Sequence, residues 1–197
     1  MNQIAVFASG NGSNFQSLID AEKRGELQAQ VKLLVTDRPD SYVVFRAKRE
    51  GIPVFAFRPK EFENKSQYEK VIIQKLQEFQ IDFIVLAGYM RIVGKDLLEA
   101  YPNRIINLHP SLLPAFPGKN AIEQAYLYGV KWTGVTVHFV DAGIDTGPIL
   151  LQEVVEIRDE DTIETLEERI HQVEHQLLVK AVNLVFDPSY QFIERAK

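Results

Sequence analysis

Asn107 and His109 stand two residues apart after the apolar pair Ile105-Ile106, and Asp145 follows within Val140-Asp141-Ala142-Gly143-Ile144-Asp145-Thr146-Gly147. In extended chain, residues two apart project from one face, so the amide and the imidazole would point together. A neutral donor, a titratable base and a fixed acid suit acyl-type transfer through a tetrahedral intermediate. Each also has an ordinary reading. Asn107 could be a strand-end hydrogen-bonder, and Asp145, between Gly143 and Gly147, a turn acid. His109 falls at the carboxyl end of a strand, where open α/β sheets build their sites. His138, between Val137 and Phe139, reads as structural. Spacing alone does not bring Asp145 to His109.

Gly10-Asn11-Gly12-Ser13-Asn14 follows the first apolar run and opens a helical pattern. Glycines admit close backbone approach, and a helix N-terminus offers free N–H groups and the positive end of a dipole, which favours a phosphate. A plain turn with Ser13 or Asn14 as helix cap is the alternative. Asp37 stands where a dinucleotide's ribose-binding acid would, but Phe15 replaces the third glycine of that fingerprint.

His171-Gln172-Val173-Glu174-His175 matches a zinc-peptidase spacing, with two histidines one turn apart. The only late acid available as a third ligand is Glu194, so the match reads as chance, and no metal is expected. Glu174 lies between Ile170 and Leu177 at the edge of an apolar stripe, where a carboxylate needs a partner. Gly88-Tyr89-Met90-Arg91-Ile92-Val93 also follows a strand. Its apolar side chains and open backbone suit a flat, polar-edged heterocycle, or else Met90 and Ile92 pack into the core.

The elements that must position these groups alternate. Ile4–Ala8, Val31–Val35, Val54–Phe57, Phe83–Ala87 and Ile105–Leu108 read as strands. Asn14–Lys23, Tyr42–Arg49, Lys65–Phe79 and Lys95–Ala100 read as helices between them. Such a pattern predicts an α/β fold, a parallel sheet with helices on both faces. Gly51-Ile52-Pro53 punctuates the second helix and third strand. Pro110, Pro114 and Pro117 shape a loop that Gly118 ends. Two more strands, Gly134–Val140 and Ile149–Val155, precede a long helix over Thr162–Phe186. Asp161 with Glu164 is expected to cap that helix, and Ile163, Leu166, Ile170, Val173, Leu177, Ala181 and Leu184 to form its apolar stripe.

The 197 residues fit one domain, 46% hydrophobic and 25% charged. A net charge of −5 argues against a broad nucleic-acid-binding surface. The absence of cysteine removes disulfides, thiolate nucleophiles and cysteine-ligated zinc. Ile4 to Ala8 reads as a strand rather than a leader, and no apolar run reaches membrane-spanning length, so a cytoplasmic protein is expected.

Taken together, Ser9 to Asn14, Leu86 to Arg91, Asn107 to Pro114, Gly134 to Val140 and Asp145-Thr146-Gly147-Pro148 resemble the phosphoribosylglycinamide formyltransferase family over nearly the whole chain. The resemblance implies a Rossmann-like, mostly parallel sheet, with C-terminal strands and the long helix completing a folate pocket. It implies a single formyltransferase domain over 1–197, with 1–100 as the phosphate-binding half and 101–197 as the catalytic and folate-binding half. The implied reaction moves a formyl group from the co-substrate 10-formyltetrahydrofolate to the amine of glycinamide ribonucleotide in purine synthesis.

By the same resemblance, Gly12, Ser13 and Asn14 cradle the substrate phosphate and Glu174 binds its ribose. Lys65 lies near the folate tail, and Met90, Arg91, Ile92 and Val93 line the pterin pocket together with Asn107. Asn107, His109 and Asp145 form the catalytic group. Two departures from the family pattern are Asn120, where relatives often carry histidine, and Leu178-Val179 in place of a Tyr-Pro pair. Partners would be small molecules, with no nucleic acid or membrane, and the enzyme a monomer or homodimer.

Three other functions compete. A methionyl-tRNA formyltransferase would need a further tRNA-binding domain and a basic surface. A formyltetrahydrofolate hydrolase usually has an added upstream domain, whereas here the first strand begins at Ile4. A silent ligand-binding module would not need Asn107, His109 and Asp145.

Overall fold

The structure, a computed structural model, describes residues 1–190. Its strands are β1 (Asn2–Phe7), β2 (Ala29–Thr36), β3 (Val54–Ala56), β4 (Phe83–Leu86), β5 (Ile105–His109), β6 (Trp132–Phe139) and β7 (Ile149–Glu156). The helices are α1 (Ser13–Lys23), α2 (Tyr42–Arg49), α3 (Lys65–Glu78), α4 (Lys95–Ala100), α5 (Ala121–Tyr128) and α6 (Ile163–Val185). One sheet holds all seven strands in the order β3-β2-β1-β4-β5-β6-β7. Its first five strands are parallel; β6 and β7 are antiparallel.

The central strands are apolar at every position because both faces are covered. Ile4 and Val6 of β1 pack with α1, α2, α5 and α6, while Ala5 and Phe7 pack on the opposite face with α3 and α4. The same alternation divides Phe83 and Val85 from Ile84 and Leu86 in β4. This is the period of two that a strand imposes. Phe7, Phe15 and Leu18 are fully buried. Truncating Leu18 to alanine in such packing costs about 2–5 kcal/mol.

The expected alternation of strands and helices is present, with ends shifted by one or two residues. The additional helix α5 ends at Gly129, which adopts the left-handed conformation. A glycine after Tyr126-Leu127-Tyr128 was the local sign of that end, overshadowed by the prolines upstream.

The cap of α6 differs from the expected one. Thr162 accepts from the Thr165 backbone N–H and Thr165 reciprocates, while Asp161 accepts from the Arg158 N–H and pairs with Arg169. Two adjacent side chains can each reach a first-turn N–H, and Thr162 sits one residue closer. The buried stripe of α6 is Leu166, Ile170, Glu174, Leu177, Leu178, Ala181 and Val182, so it admits Glu174 itself. Ile163, Val173 and Leu184 lie at its partly exposed margins. Leu178 is fully buried and Val179 packs against the same core, so this departure from the family pattern serves the apolar interior.

Helix α1 starts with Gly12 as its cap residue rather than Ser13 or Asn14. Gly12 adopts φ +77°, and a Cβ there would lie 2.4 Å from Cγ2 of Val43 on α2. Close approach of α2 and a left-handed backbone therefore both require glycine.

Candidate active site

The sheet order reverses between β1 and β4, and the functional segments leave the carboxyl ends of the strands around that point. Open α/β sheets place ligands there, since loops diverge at the reversal and leave a crevice. A cleft of about 850 Å³ occupies it, reaching from Asn14 and Glu174 past Met90 to Asn107, His109 and Asp145.

Antiparallel pairing of β5 with β6 puts Asn107 directly opposite His138. Asn107 Nδ2 lies 3.2 Å from His138 Nε2 and 3.5 Å from Asp145 Oδ1. His138 Nδ1 lies 2.8 Å from the Phe139 carbonyl, so it donates there, and the neutral ring then presents Nε2 as an acceptor to Asn107. The structural reading of His138 is corrected to this extent: the ring is buried, but it faces the site and holds the Asn107 amide. Nothing local in the sequence shows it, because the strand register decides it.

His109 lies between two acceptors. Its Nε2 is 2.9 Å from the Phe116 carbonyl and its Nδ1 is 3.5 Å from Asp145 Oδ2. A neutral imidazole has one N–H and satisfies one of them, whereas an imidazolium serves both.

Asp145 is brought in by the loop between β6 and β7. Thr146 Oγ1 and the Gly143 N–H both donate to Asp141 Oδ1, at 2.7 and 3.0 Å, and tie that loop to itself. A Cβ at Gly147 would lie 1.8 Å from the Phe139 carbonyl oxygen. Asp145 itself takes φ +54°. The Gly118 N–H donates to its Oδ2 at 2.7 Å, which links this loop to the proline-rich one. Burial pushes the Asp145 carboxyl up, but the adjacent His138 ring, the Gly118 N–H and the charge on His109 outweigh it, so its pKa falls below the ordinary value. Asp145 is thus a fixed anion.

At the other end, Asn14 Nδ2 donates to Glu174 Oε2 at 3.1 Å, and His171 Nδ1 lies 2.7 Å from the same oxygen. Glu174 is buried and His171 half exposed. The hydrogen bond to Glu174 raises the His171 pKa, against burial. Asn14 Oδ1 is buried with no donor among the described residues. The H-x-x-E-H spacing therefore forms an ion pair within the helix, His171 with Glu174, to which Asn14 of the loop adds a hydrogen bond. Among the described residues no cluster could hold a metal, and Glu194 lies outside them.

The glycine loop is gripped by α2. Arg46 donates through Nε to the Asn11 carbonyl and through Nη2 to Asn11 Oδ1, both at 2.9 Å, and the Val43 N–H donates to the Gly10 carbonyl at 3.1 Å. Asn14 lines the cleft directly; Gly12 and Ser13 are not among its lining residues.

Met90 and Ile92 are 55% and 54% exposed and line the cleft instead of packing inside. Val93 is buried at the same wall. Lys65 does not line the cleft; its Nζ donates to the Ile92 carbonyl at 2.8 Å and braces the segment from behind. Asp37 is occupied as well, accepting from Ser9 and pairing with Arg91, so it is not free for a dinucleotide ribose. Asn120 takes a left-handed conformation at the start of α5 and also lines the cleft. The site is thus built across both halves of the chain, with Asn14 meeting Glu174 and Met90 to Val93 facing Asn107.

An open α/β sheet that sets an amide, an imidazole and a fixed carboxylate at one crevice defines an enzyme of acyl-type group transfer between small molecules. Residues 2–182 match the formyl transferase family, and the chain belongs to it. It is 52% identical over 176 residues to a phosphoribosylglycinamide formyltransferase of Bacillus subtilis, covering 89% of this chain and 90% of that one. It is 39% identical to the human trifunctional purine biosynthetic protein adenosine-3, along 99% of this chain and 19% of that longer protein. Among solved structures, phosphoribosylglycinamide formyltransferase from Bacillus halodurans superposes with a TM-score of 0.93 at 52% identity, over 96% of this chain and 97% of that one. Glycinamide ribonucleotide transformylase 1 from Geobacillus kaustophilus does so at 0.92 and 56%, over 94% and 98%.

Proposed function

We propose that Asn107, His109 and Asp145 carry the formyl transfer of this family. The chain is a folate-dependent formyltransferase of purine synthesis that moves the formyl group of 10-formyltetrahydrofolate to the amine of glycinamide ribonucleotide. The free amine attacks the formyl carbon; a C–N bond forms and the carbonyl π pair moves to oxygen. The Asn107 amide and an imidazolium at His109 donate to that oxyanion. Asp145 holds the imidazolium by charge and relays, through water, the proton that the attacking nitrogen must lose. As the intermediate collapses, the carbonyl re-forms, the bond to the folate N10 breaks and N10 takes up that proton. Two substrates held side by side supply proximity.

Gly12, Ser13 and Asn14 receive the phosphate on backbone N–H groups at the start of α1. Glu174 and the free Asn14 Oδ1 are acceptors suited to ribose hydroxyls. Met90 to Val93 take the pterin, with Lys65 behind them. The division into residues 1–100 and 101–197 belongs to the same reading, with Met90 to Val93 lent to the folate end by the first half and Glu174 lent to the ribonucleotide end by the second; so do a cytoplasmic compartment, small-molecule partners only, and a monomer or homodimer.

The observation that carries this reading is the meeting of Asn107 and His109 with Asp145, each at 3.5 Å, at one wall of the cleft. Absorbance of the folate product, followed with glycinamide ribonucleotide present and absent, tests it. Product that forms only with the ribonucleotide supports the transferase. Equal product without it identifies a hydrolase, and no product in either case a silent binder.

A further inference from the structure

Ser9, Asp37 and Arg91 come from three separate stretches of chain and meet beneath the segment that follows β4. The Asp37 side chain is 1% exposed and Arg91, its partner at 2.8 Å, 46% exposed. Ser9 Oγ donates to the other oxygen of Asp37, and the Met90 backbone N–H donates to Ser9 Oγ at 2.9 Å. The Ser9 N–H in turn donates to the Gly88 carbonyl at 3.0 Å. Asp37 thereby reaches the cleft-lining segment twice, through the Met90 backbone by way of Ser9 and through the Arg91 side chain.

A buried carboxylate costs free energy unless it is paired and hydrogen-bonded, and Asp37 obtains both from this arrangement. The segment in this geometry satisfies the carboxylate, so the need to pair it favours holding Met90 and Arg91 in place. Nothing comparable ties Asp37 to the glycine loop beyond Ser9, or to Asn107, His109 and Asp145. We infer that Asp37 is a positioning residue for the folate co-substrate: with Ser9 and Arg91 it preorganises the wall from Met90 to Val93, and it selects for the flat heterocycle without touching it. This rests on the folate reading of the cleft.

Asp37→Asn keeps the shape and the acceptor for Ser9 but removes the charge that holds Arg91. Steady-state kinetics should show KM for 10-formyltetrahydrofolate raised about fivefold to thirtyfold, with kcat and the ribonucleotide KM within about twofold of the parent. Calorimetric titration with 5,8-dideazafolate, a non-reacting folate analogue, should show the same loss in Kd. Arg91→Gln strands the buried carboxylate and should lower the melting temperature; adding Asp37→Asn to it should restore part of that loss, through removal of the unpaired charge. An unchanged folate KM and analogue Kd in Asp37→Asn would overturn the inference, as would an equal rise in both substrates' KM values. If the parent protein itself gave no heat with the analogue, the folate reading would fall instead, so the two failures are separable.

Discussion

The two ends of the cleft are built in opposite ways. The end proposed to take the phosphate is one continuous loop, Gly10 to Asn14, gripped by α2 through Arg46 and Val43 and closed by Glu174 from α6. The end proposed for catalysis has no continuous segment. Asn107 and His109 come from β5, His138 from β6, Asp145 from the loop after it, and Gly118 and Phe116 from a third loop. The phosphate end needs a backbone shape, and the catalytic end needs side chains at set distances. A lesion at the first should therefore act on substrate binding, and a lesion at the second on turnover.

The sharpest test of that contrast is Asn107→Ala or Asp145→Ala. Each removes a group that acts on charge developing in the transition state, so kcat should fall about 10²–10³-fold while circular dichroism stays unchanged. Near-normal turnover in Asp145→Ala would take Asp145 out of the scheme. Gly12→Ala probes the other end. The left-handed backbone and the crowding by Val43 cost about 1–3 kcal/mol, which should raise the ribonucleotide KM about tenfold or more and spare the folate KM. A loss of kcat alone in that variant would break the comparison.

His138→Ala refines the catalytic end. Without its acceptor the Asn107 amide loses about 1.5 kcal/mol of restraint, so turnover should drop about tenfold with both KM values nearly constant.

The smallest effect is on stability against pH, where the two ends have opposite signs. His171 has a raised pKa, so its pairing with Glu174 stabilises fully below the ordinary histidine value and fades as pH climbs through the raised one. Asp145 has a lowered pKa, so its contribution is complete above the ordinary carboxylate value and fades as pH falls through the lowered one. Thermal melts across pH should lose the alkaline limb in His171→Ala and the acid limb in Asp145→Asn.

Legibility followed the same division. Gly10 to Asn14 could be read locally, because glycines before a helix are a short-range signal. Asn107 and His109 could be read from a strand period of two. His138 could not, since its place opposite Asn107, 31 positions away, depends on which residues of β5 and β6 pair. Asp37 carried a misleading cue: its position after β2 suggested a ribose, and its pairing with Arg91 is visible only in three dimensions. The Asp161 cap failed for a smaller reason, because Thr162 competes for the same N–H groups one residue later.

What the chain's order of residues determined by itself was the α/β sheet, through apolar runs too continuous for a one-sided strand, and the chemical types gathered at the strand ends. Only the tertiary structure decided that Asp145 meets His109, that His138 faces Asn107, and that Glu174 closes on Asn14. Hydrophobic periodicity is short-ranged and survives in any window of sequence. Distances between side chains depend on strand register and loop path, which emerge only when the whole sheet is packed.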